Sequence, residues 1–156
     1  AGRSMEGFET TALVNLVMLE PGESLESERV VAEVGSSLMV NVHYLYDRFL
    51  EVGAEPPAYV EPMWEEYVEF RRARDAERDH TEAHGSHYGH LDPHEVRFVT
   101  PEMIRTFCIA GQPGDIVEQL TDLESQGLDS INFIAPADRQ WETCTQFADA
   151  VIARMR

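Results

Sequence analysis

The sequence has no lysine, because all twelve of its basic residues are arginine. A Schiff base between a lysine of this chain and pyridoxal phosphate is therefore excluded, and so is a P-loop, whose lysine contacts nucleotide phosphates. Acidic residues outnumber the arginines by 29 to 12, which gives a formal net charge of −17 at pH 7. A surface of this charge repels nucleic-acid phosphates and anionic lipids, so we expect neither nucleic acid nor a membrane as a partner.

Cysteines and long apolar runs are also scarce. The two cysteines, Cys108 and Cys144, lie in apolar patterns, so we predict two buried, unpaired thiols and no disulfide framework. No apolar run approaches the ~20 residues of a membrane-spanning helix, and no charged-then-apolar leader opens the sequence. These absences predict a soluble, cytoplasmic protein. The first residue is Ala1 and not methionine, so we expect the chain to begin within a longer protein.

Three apolar runs predict the strands of an α/β fold. Residues 10–19 are nearly continuous in aliphatic and β-branched residues, which is typical of a parallel strand covered on both faces. Residues 105–110 and 130–134 are shorter runs, and helical patterns follow them over 116–127 and from 136 onwards. This alternation predicts parallel strands joined by right-handed crossovers. An apolar content of 43% is sufficient for a packed core.

The middle of the chain is predicted to be helical. A long helix begins after a cap at Ser24 or Ser27, and a second helix is predicted over residues 61–78. A loop rich in histidine and glycine occupies residues 80–95, and Thr100 caps a further helix that has proline at its first position.

The number of predicted strands is small for a closed fold. A (β/α)8 barrel needs roughly 200 residues at the least, and an open three-stranded parallel sheet leaves two apolar edges unpaired. We therefore expect the chain to form a homo-oligomer or to pair with a missing half of its domain.

The last third of the chain has a distinctive order of motifs. In FCIAGQPGDIVEQLTDLESQGLDSINFI, a strand ends in glycine, a proline and an acidic helix follow, and a Gly-Leu-Asp turn precedes the last strand. This pattern resembles the last two βα units of the luciferase-like monooxygenase superfamily, which are flavin- or deazaflavin-dependent oxidoreductases on a (β/α)8 barrel. The opening AGRSMEGFETTALVNLVML resembles the entry into the family's sixth strand. FVTPEMIR, after the histidine-rich stretch, is similar to an insertion in a deazaflavin-dependent branch. The residues of the tail that carry the resemblance are Gly111, Pro113, Asp115, Gly127, Leu128 and Asp129.

The resemblance implies an α/β chain that is the C-terminal part of a (β/α)8 barrel, with a small-molecule substrate and FMN or a deazaflavin as cofactor. It further implies one partial domain over residues 1–156: a strand unit at 1–22, a helical insertion with the histidine-rich loop at 23–100, and two βα units at 101–156. The family's first five strands, which hold much of its flavin pocket and phosphate cradle, are absent from this sequence.

Three candidate cofactor-binding residues follow from local sequence. Gly111 and Gln112 end a strand just before a helix N-terminus, where backbone N–H groups and the helix dipole favour an anion or phosphate. Asn15 interrupts an apolar strand, and its amide needs partners, so it is a candidate for a network inside the barrel or for contact with the cofactor. His43, next to an apolar position on the first long helix, is interpreted as a boundary histidine.

The resemblance adds four candidates in the insertion, which lies near the mouth of the barrel in the family. His84, His87, Tyr88 and His90 would line the flavin or substrate pocket there, where a histidine can donate a hydrogen bond or transfer a proton near neutral pH. Two other interpretations stay open. The histidine-rich loop could bind a metal through pairs such as His80 and His84, although no HExxH motif is present. The chain could also be a non-catalytic, self-associating half-barrel or interaction module.

Overall fold

The computed structural model describes Gly2 and residues 7–75 and 89–155. The described chain is a mixed α/β structure with three parallel strands and several helices, which confirms the predicted α/β class. Within these ranges, no helix is both long and apolar enough to cross a membrane. The chain divides into two compact units, and each is described by itself. The predicted division into three segments stays a prediction.

Residues 24–107 form the helical unit. Ser27 caps its first helix, because its Oγ accepts a hydrogen bond from the Val30 N–H at 3.3 Å, and Thr100 caps its last helix through the Met103 N–H at 3.2 Å. Both observations agree with the predicted helix starts. The elements are α1 (Glu28–Val52), α2 (Glu61–Asp75), a 3-10 turn (Val96–Phe98) and α3 (Pro101–Phe107). The end of the predicted second helix, 76–78, lies outside the described residues.

Aromatic side chains form the centre of the helical unit. The ring of Tyr67 on α2 lies 6.0 Å from that of Tyr46 on α1 and 5.1 Å from that of Phe98, and Phe98 lies 5.3 Å from Phe70. Tyr67 and Phe70 lie three residues apart on α2, and buried residues recur every four positions along α1 up to Tyr46, so each helix presents one apolar face to a shared core. The two pairs that include Tyr67 are edge-to-face, and such pairs add stabilisation beyond the area they bury.

Residues 1–23 and 108–156 form the sheet unit. Its three parallel strands stand in the order β2-β1-β3. The outer strands pair with different halves of β1: Asn15 to Met18 face β2, and Thr11 to Val14 face β3. The strands are β1 (Thr11–Met18), β2 (Cys108–Gly111) and β3 (Ser130–Phe133).

The helices of the sheet unit cover one face of the sheet. They are α4 (Pro113–Ser125) and α5 (Gln140–Phe147), and α5 continues through a π-helical turn (Ala148–Ile152) into α6 (Ala153–Met155). Apolar residues at alternating strand positions and at helical spacing meet in one core, which therefore follows from the two periodicities. Its buried members are Leu16, Met18, Ile109, Ile116, Leu120, Phe147 and Val151.

Two sequence predictions are wrong in this part of the chain. The strand predicted over 105–110 begins only at Cys108, because α3 continues through Phe107 from its cap. Cys144, predicted to be buried, is exposed, whereas Cys108 is buried and neither forms a disulfide. The buried face of α5 is set by Thr143 and Phe147, and Cys144 is turned away from it.

Candidate functional site

The sheet unit has a cleft at the carboxyl ends of β1 and β2. Its volume is about 330 Å³, which lies at the lower end of the range of small-molecule sites. Ligands of open parallel sheets bind at this end of the strands. The lining combines apolar and polar side chains: Met18, Leu19, Glu20, Pro21, Gln112, Pro113, Thr145, Gln146, Asp149 and Ala150.

The loop after β1 is fixed by hydrogen bonds from two other elements. The Gln112 side chain donates its Nε2–H to the Glu20 carbonyl oxygen at 2.9 Å. Arg139 contacts the Glu20 carboxylate at 3.3 Å and the Glu142 carboxylate at 2.9 Å. These contacts order one wall of the cleft and place a cation beside the Glu20 charge.

The N-terminus of α4 is occupied by a side chain of the same helix. The Gln112 N–H donates to Asp115 Oδ2 at 2.9 Å. Gly111 has φ of 149°, and a Cβ at this position would lie 2.7 Å from the Asp115 Cβ, so a glycine is needed for this close approach. The carboxylate of Asp115 therefore satisfies the Gln112 N–H beside the helix N-terminus where we predicted a phosphate, and it complements the helix dipole there.

Of the three predicted cofactor residues, Gln112 lines the cleft and Gly111 directly precedes it. Asn15 lies within β1 opposite Cys108. It is three residues before the end of the strand, and its side chain belongs to the opposite face of the sheet from Leu16 and Met18. The structure thus brings Gly111 and Gln112 together and leaves Asn15 away from the cleft lining.

The predicted residues of the insertion are only partly described. His84, His87 and Tyr88 lie outside the described residues, as does His80. His90 is exposed, and so is His94. Among the residues that the structure describes, no group of three or more metal-ligating side chains comes together.

The helical unit contains a buried polar pair that the sequence analysis did not identify. His43 on α1 is 3% exposed, and its Nε2 lies 2.9 Å from Oε1 of Glu95, which is equally buried. His43 is therefore a core residue, and its interpretation as a boundary histidine is wrong. Nearby, Arg71 lies over the Tyr46 ring at 5.2 Å. Burial raises the pKa of Tyr67 far above its usual range, a shift that its contact with Arg71 partly offsets.

Several cleft residues were missed as well. Thr145, Gln146 and Asp149 share one side of the last helix, and the π-helical turn contains Asp149. The spacing of Thr145 and Asp149, four residues apart, was visible in the sequence. Their relation to residues 18–21 requires the tertiary structure, because more than 120 residues separate them along the chain.

The lining agrees with only one part of a flavin or deazaflavin cofactor. Met18, Leu19, Pro21 and Pro113 offer an apolar surface for a ring system. A cofactor phosphate needs cations or free backbone N–H groups, but none of the lining residues is basic and Asp115 holds the Gln112 N–H. The lining therefore offers an apolar surface for the ring and no cationic side chain for the phosphate.

Comparisons with protein-family models, with curated proteins and with solved structures found no match. The resemblance to luciferase-like oxidoreductases rests on the sequence motifs alone.

Proposed function

We propose that the chain is the C-terminal half of a flavin- or deazaflavin-dependent oxidoreductase of the luciferase-like class and that its strand-end cleft contributes to the substrate and cofactor pocket. The observation that carries the proposal is the position of the cleft. It opens at the carboxyl ends of β1 and β2, with an apolar floor and the amide of Gln112 at one wall, and barrel enzymes bind their ligands at this end of the strands.

The one-sided packing of the sheet unit supports the same proposal. Ile116 and Leu120 of α4 pack in the same core as Phe147 and Val151 of the last helix. Both helices therefore cover one face of the sheet, as the outer helices of a (β/α)8 barrel do. The chain would supply half of the barrel, and the missing strands would supply the phosphate cradle.

The strand order gives this proposal a specific consequence. Successive strands of a barrel are neighbours in chain order, whereas β1 lies between β2 and β3 in this structure. If the chain is half of a barrel, β3 leaves β1 and pairs with β2 when the missing strands are present. Cysteine cross-linking between β2 and β3 in a longer protein that includes upstream strands tests this exchange, and persistence of the β1–β3 pairing contradicts the barrel.

Cofactor binding tests the functional proposal directly. We expect the isolated chain to quench the fluorescence of riboflavin and of FMN with similar, weak affinity, because the cleft offers an apolar surface for the ring and no basic side chain for the phosphate. Addition of the missing half should then tighten FMN binding more than riboflavin binding. Failure of riboflavin, of FMN and of their 5-deazaflavin counterparts to bind, with and without the missing half, contradicts the proposal.

Self-association is a second candidate function, and the two edges of the sheet favour it. At the β2 edge, the Gln119 side chain donates Nε2–H to the Ala110 carbonyl at 2.9 Å and accepts the Ala110 N–H at 3.3 Å, so it takes the place of a neighbouring strand. No described residue does this at the β3 edge, which carries neither charge nor proline. Ile134 just beyond it is 77% exposed, and edges of this kind pair with other chains.

Sedimentation velocity separates this candidate from the first. If β3 mediates self-association, Ile134→Lys should make the protein monomeric. The control Val52→Lys, at a 61% exposed position of α1, should leave the oligomer unchanged. A wild-type monomer at all concentrations rules out self-association.

A further inference from the structure

We propose that the strand-end cleft binds an apolar molecule that carries a protonated amine. This inference rests on the proposed function in so far as both place a small ligand in this cleft, and it specifies the charge of that ligand. It follows from the distribution of carboxylates and cations around the cleft.

The floor of the cleft sets the apolar part of the ligand. Met18 and Leu19 come from the end of β1, Pro21 from the following turn, and Pro113 from the start of α4. Ala150 of the π-helical turn completes the surface. A cleft of about 330 Å³ with these walls accommodates one aromatic or aliphatic ring.

The two carboxylates that line the cleft differ in their surroundings. Glu20 is paired with Arg139 at 3.3 Å, so its charge is already compensated. Asp149 forms no ion pair with any arginine or histidine in the described part of the chain and stands at the mouth beside Thr145 and Gln146. A ligand ammonium group placed there would meet one uncompensated carboxylate and two neutral hydrogen-bonding side chains.

Anionic ligands are disfavoured at the same place. The lining contains no arginine and no histidine, and Asp115 occupies the N-terminus of α4. An anion in the cleft would lie near Asp115, Glu20 and Asp149 and would find no cation of its own. The net charge of −17 adds repulsion at longer range.

The backbone at Asp149 is an independent indication of a site. Residues 148–152 form a π-helical turn within an otherwise α-helical segment, and such turns are rare and often lie at functional sites. This turn contains both Asp149 and Ala150, which line the cleft. The π-helical turn therefore supplies both the carboxylate and part of the apolar wall of the proposed amine site.

Three probes of equal ring size test the inference: benzylamine, benzyl alcohol and benzoate, each titrated into the full chain at pH 7 and followed by amide chemical shifts. We expect benzylamine to bind about threefold more tightly than benzyl alcohol, because Asp149 is exposed. Benzoate should bind least, and the largest shifts should occur at Gln112 and Gln146. Asp149→Asn should reduce benzylamine binding to the level of benzyl alcohol. Asp122→Asn, at an exposed position of α4 outside the cleft lining, is the matched control and should change nothing.

A salt series keeps the test decisive if Asp149→Asn does not fold. Between low and high salt, benzylamine binding to the wild-type chain should weaken severalfold, whereas benzyl alcohol binding stays constant. Equal or tighter binding of benzoate overturns the inference, and so does benzylamine binding that is insensitive to both Asp149→Asn and salt. Binding of FMN together with a preference for benzoate would support the proposed function and contradict this inference. Selective benzylamine binding without any flavin binding, with or without the missing half, would support this inference and contradict the proposed function.

Discussion

The helical unit and the sheet unit are stabilised in different ways. Of the twelve largest fully buried side chains in the described part of the chain, only Ile116 and Val17 belong to the sheet unit. The helical unit holds the others, which include Tyr46, Tyr67 and Phe98. The sheet unit depends more on side chains that bond to the backbone at strand ends, such as Gln119 at Ala110.

This difference bears on where function lies. A core of interlocking aromatic rings leaves little space for a ligand, since every gap costs packing contacts. Strand ends that are ordered by individual hydrogen bonds leave clefts whose polar groups can be exchanged without loss of the core. The candidate site accordingly lies in the sheet unit, whereas the helical unit buries one titratable pair, His43 and Glu95, in its interior.

The largest effect that we predict is on the free energy of unfolding, and one substitution in each unit tests the difference between the units. Phe98→Ala removes a ring that is 1% exposed and contacts two other rings, so it should cost about 3–5 kcal/mol in the free energy of unfolding. Phe147→Ala in the sheet unit removes a ring that is 8% exposed and lies 5.1 Å from the Phe133 ring, so it should cost less, about 3 kcal/mol, at the lower end of the same range. Urea denaturation measures both, and a larger loss for Phe147→Ala would contradict the comparison.

The next largest effect concerns the turn between β2 and α4. Gly111→Ala places a Cβ 2.7 Å from the Asp115 Cβ and forces alanine into a φ of 149°. We expect a loss of about 2–3 kcal/mol, measured by thermal unfolding. Gly114→Ala is the matched control, because a Cβ there meets nothing within 4 Å and helix propensity favours alanine. Equal stability of the two variants would show that the Asp115 side chain does not pack against Gly111.

Much of the fold was predictable, because it depends on local pattern. The three strands, the caps at Ser27 and Thr100, and the turn at Gly111 follow from periodicity and from residues with special backbone preferences. The boundary at Cys108 was missed because RTFCIA suits the end of a helix as well as a strand, and the cap at Thr100 decides between them.

The candidate site was less predictable than the fold. Gln112 was identified because it follows a strand and precedes a helix. Asp149 and Glu20 were missed because their importance arises only when distant parts of the chain meet. The charge distribution around the cleft also escaped prediction. Nothing in the local sequence shows that Arg139 pairs with Glu20 and that no described arginine pairs with Asp149.

A smaller effect is expected in the chemical labelling of the two thiols, Cys108 and Cys144, which both belong to the sheet unit. Burial raises the pKa of the Cys108 thiol to about 12, and the thiolate is the reactive form. Cys144 is exposed on α5. We expect a disulfide exchange reagent to label one thiol in the native protein and two in the unfolded protein, and Cys144→Ser to abolish native labelling. Rapid native labelling of Cys108 in that variant would show that the β2 edge opens readily despite Gln119.

The smallest effect that we predict is a change in how folding stability declines in acid, and it is compared for one aspartate of each unit. Asp129 accepts hydrogen bonds from the Thr10 N–H at 2.7 Å and from its hydroxyl at 3.0 Å, and these bonds lower the pKa of Asp129. In the helical unit, burial raises the pKa of Asp92, but the His94 N–H and Arg74, at 2.7 Å, lower it by more.

A lowered pKa in the folded state means that each aspartate stabilises the fold above its unfolded pKa of roughly 3.9, and that this stabilisation is lost as the pH falls through the folded value. Asp129→Asn and Asp92→Asn should therefore reduce stability at pH 6 and flatten its decline below pH 4, in urea titrations between pH 2 and pH 6. Because Asp129 is solvent-exposed and Asp92 is partly buried beside Arg74, the flattening should be greater for Asp92→Asn. A greater effect at Asp129 would mean that its hydrogen bonds with Thr10 contribute more to the acid stability of this chain than the Asp92–Arg74 contact does.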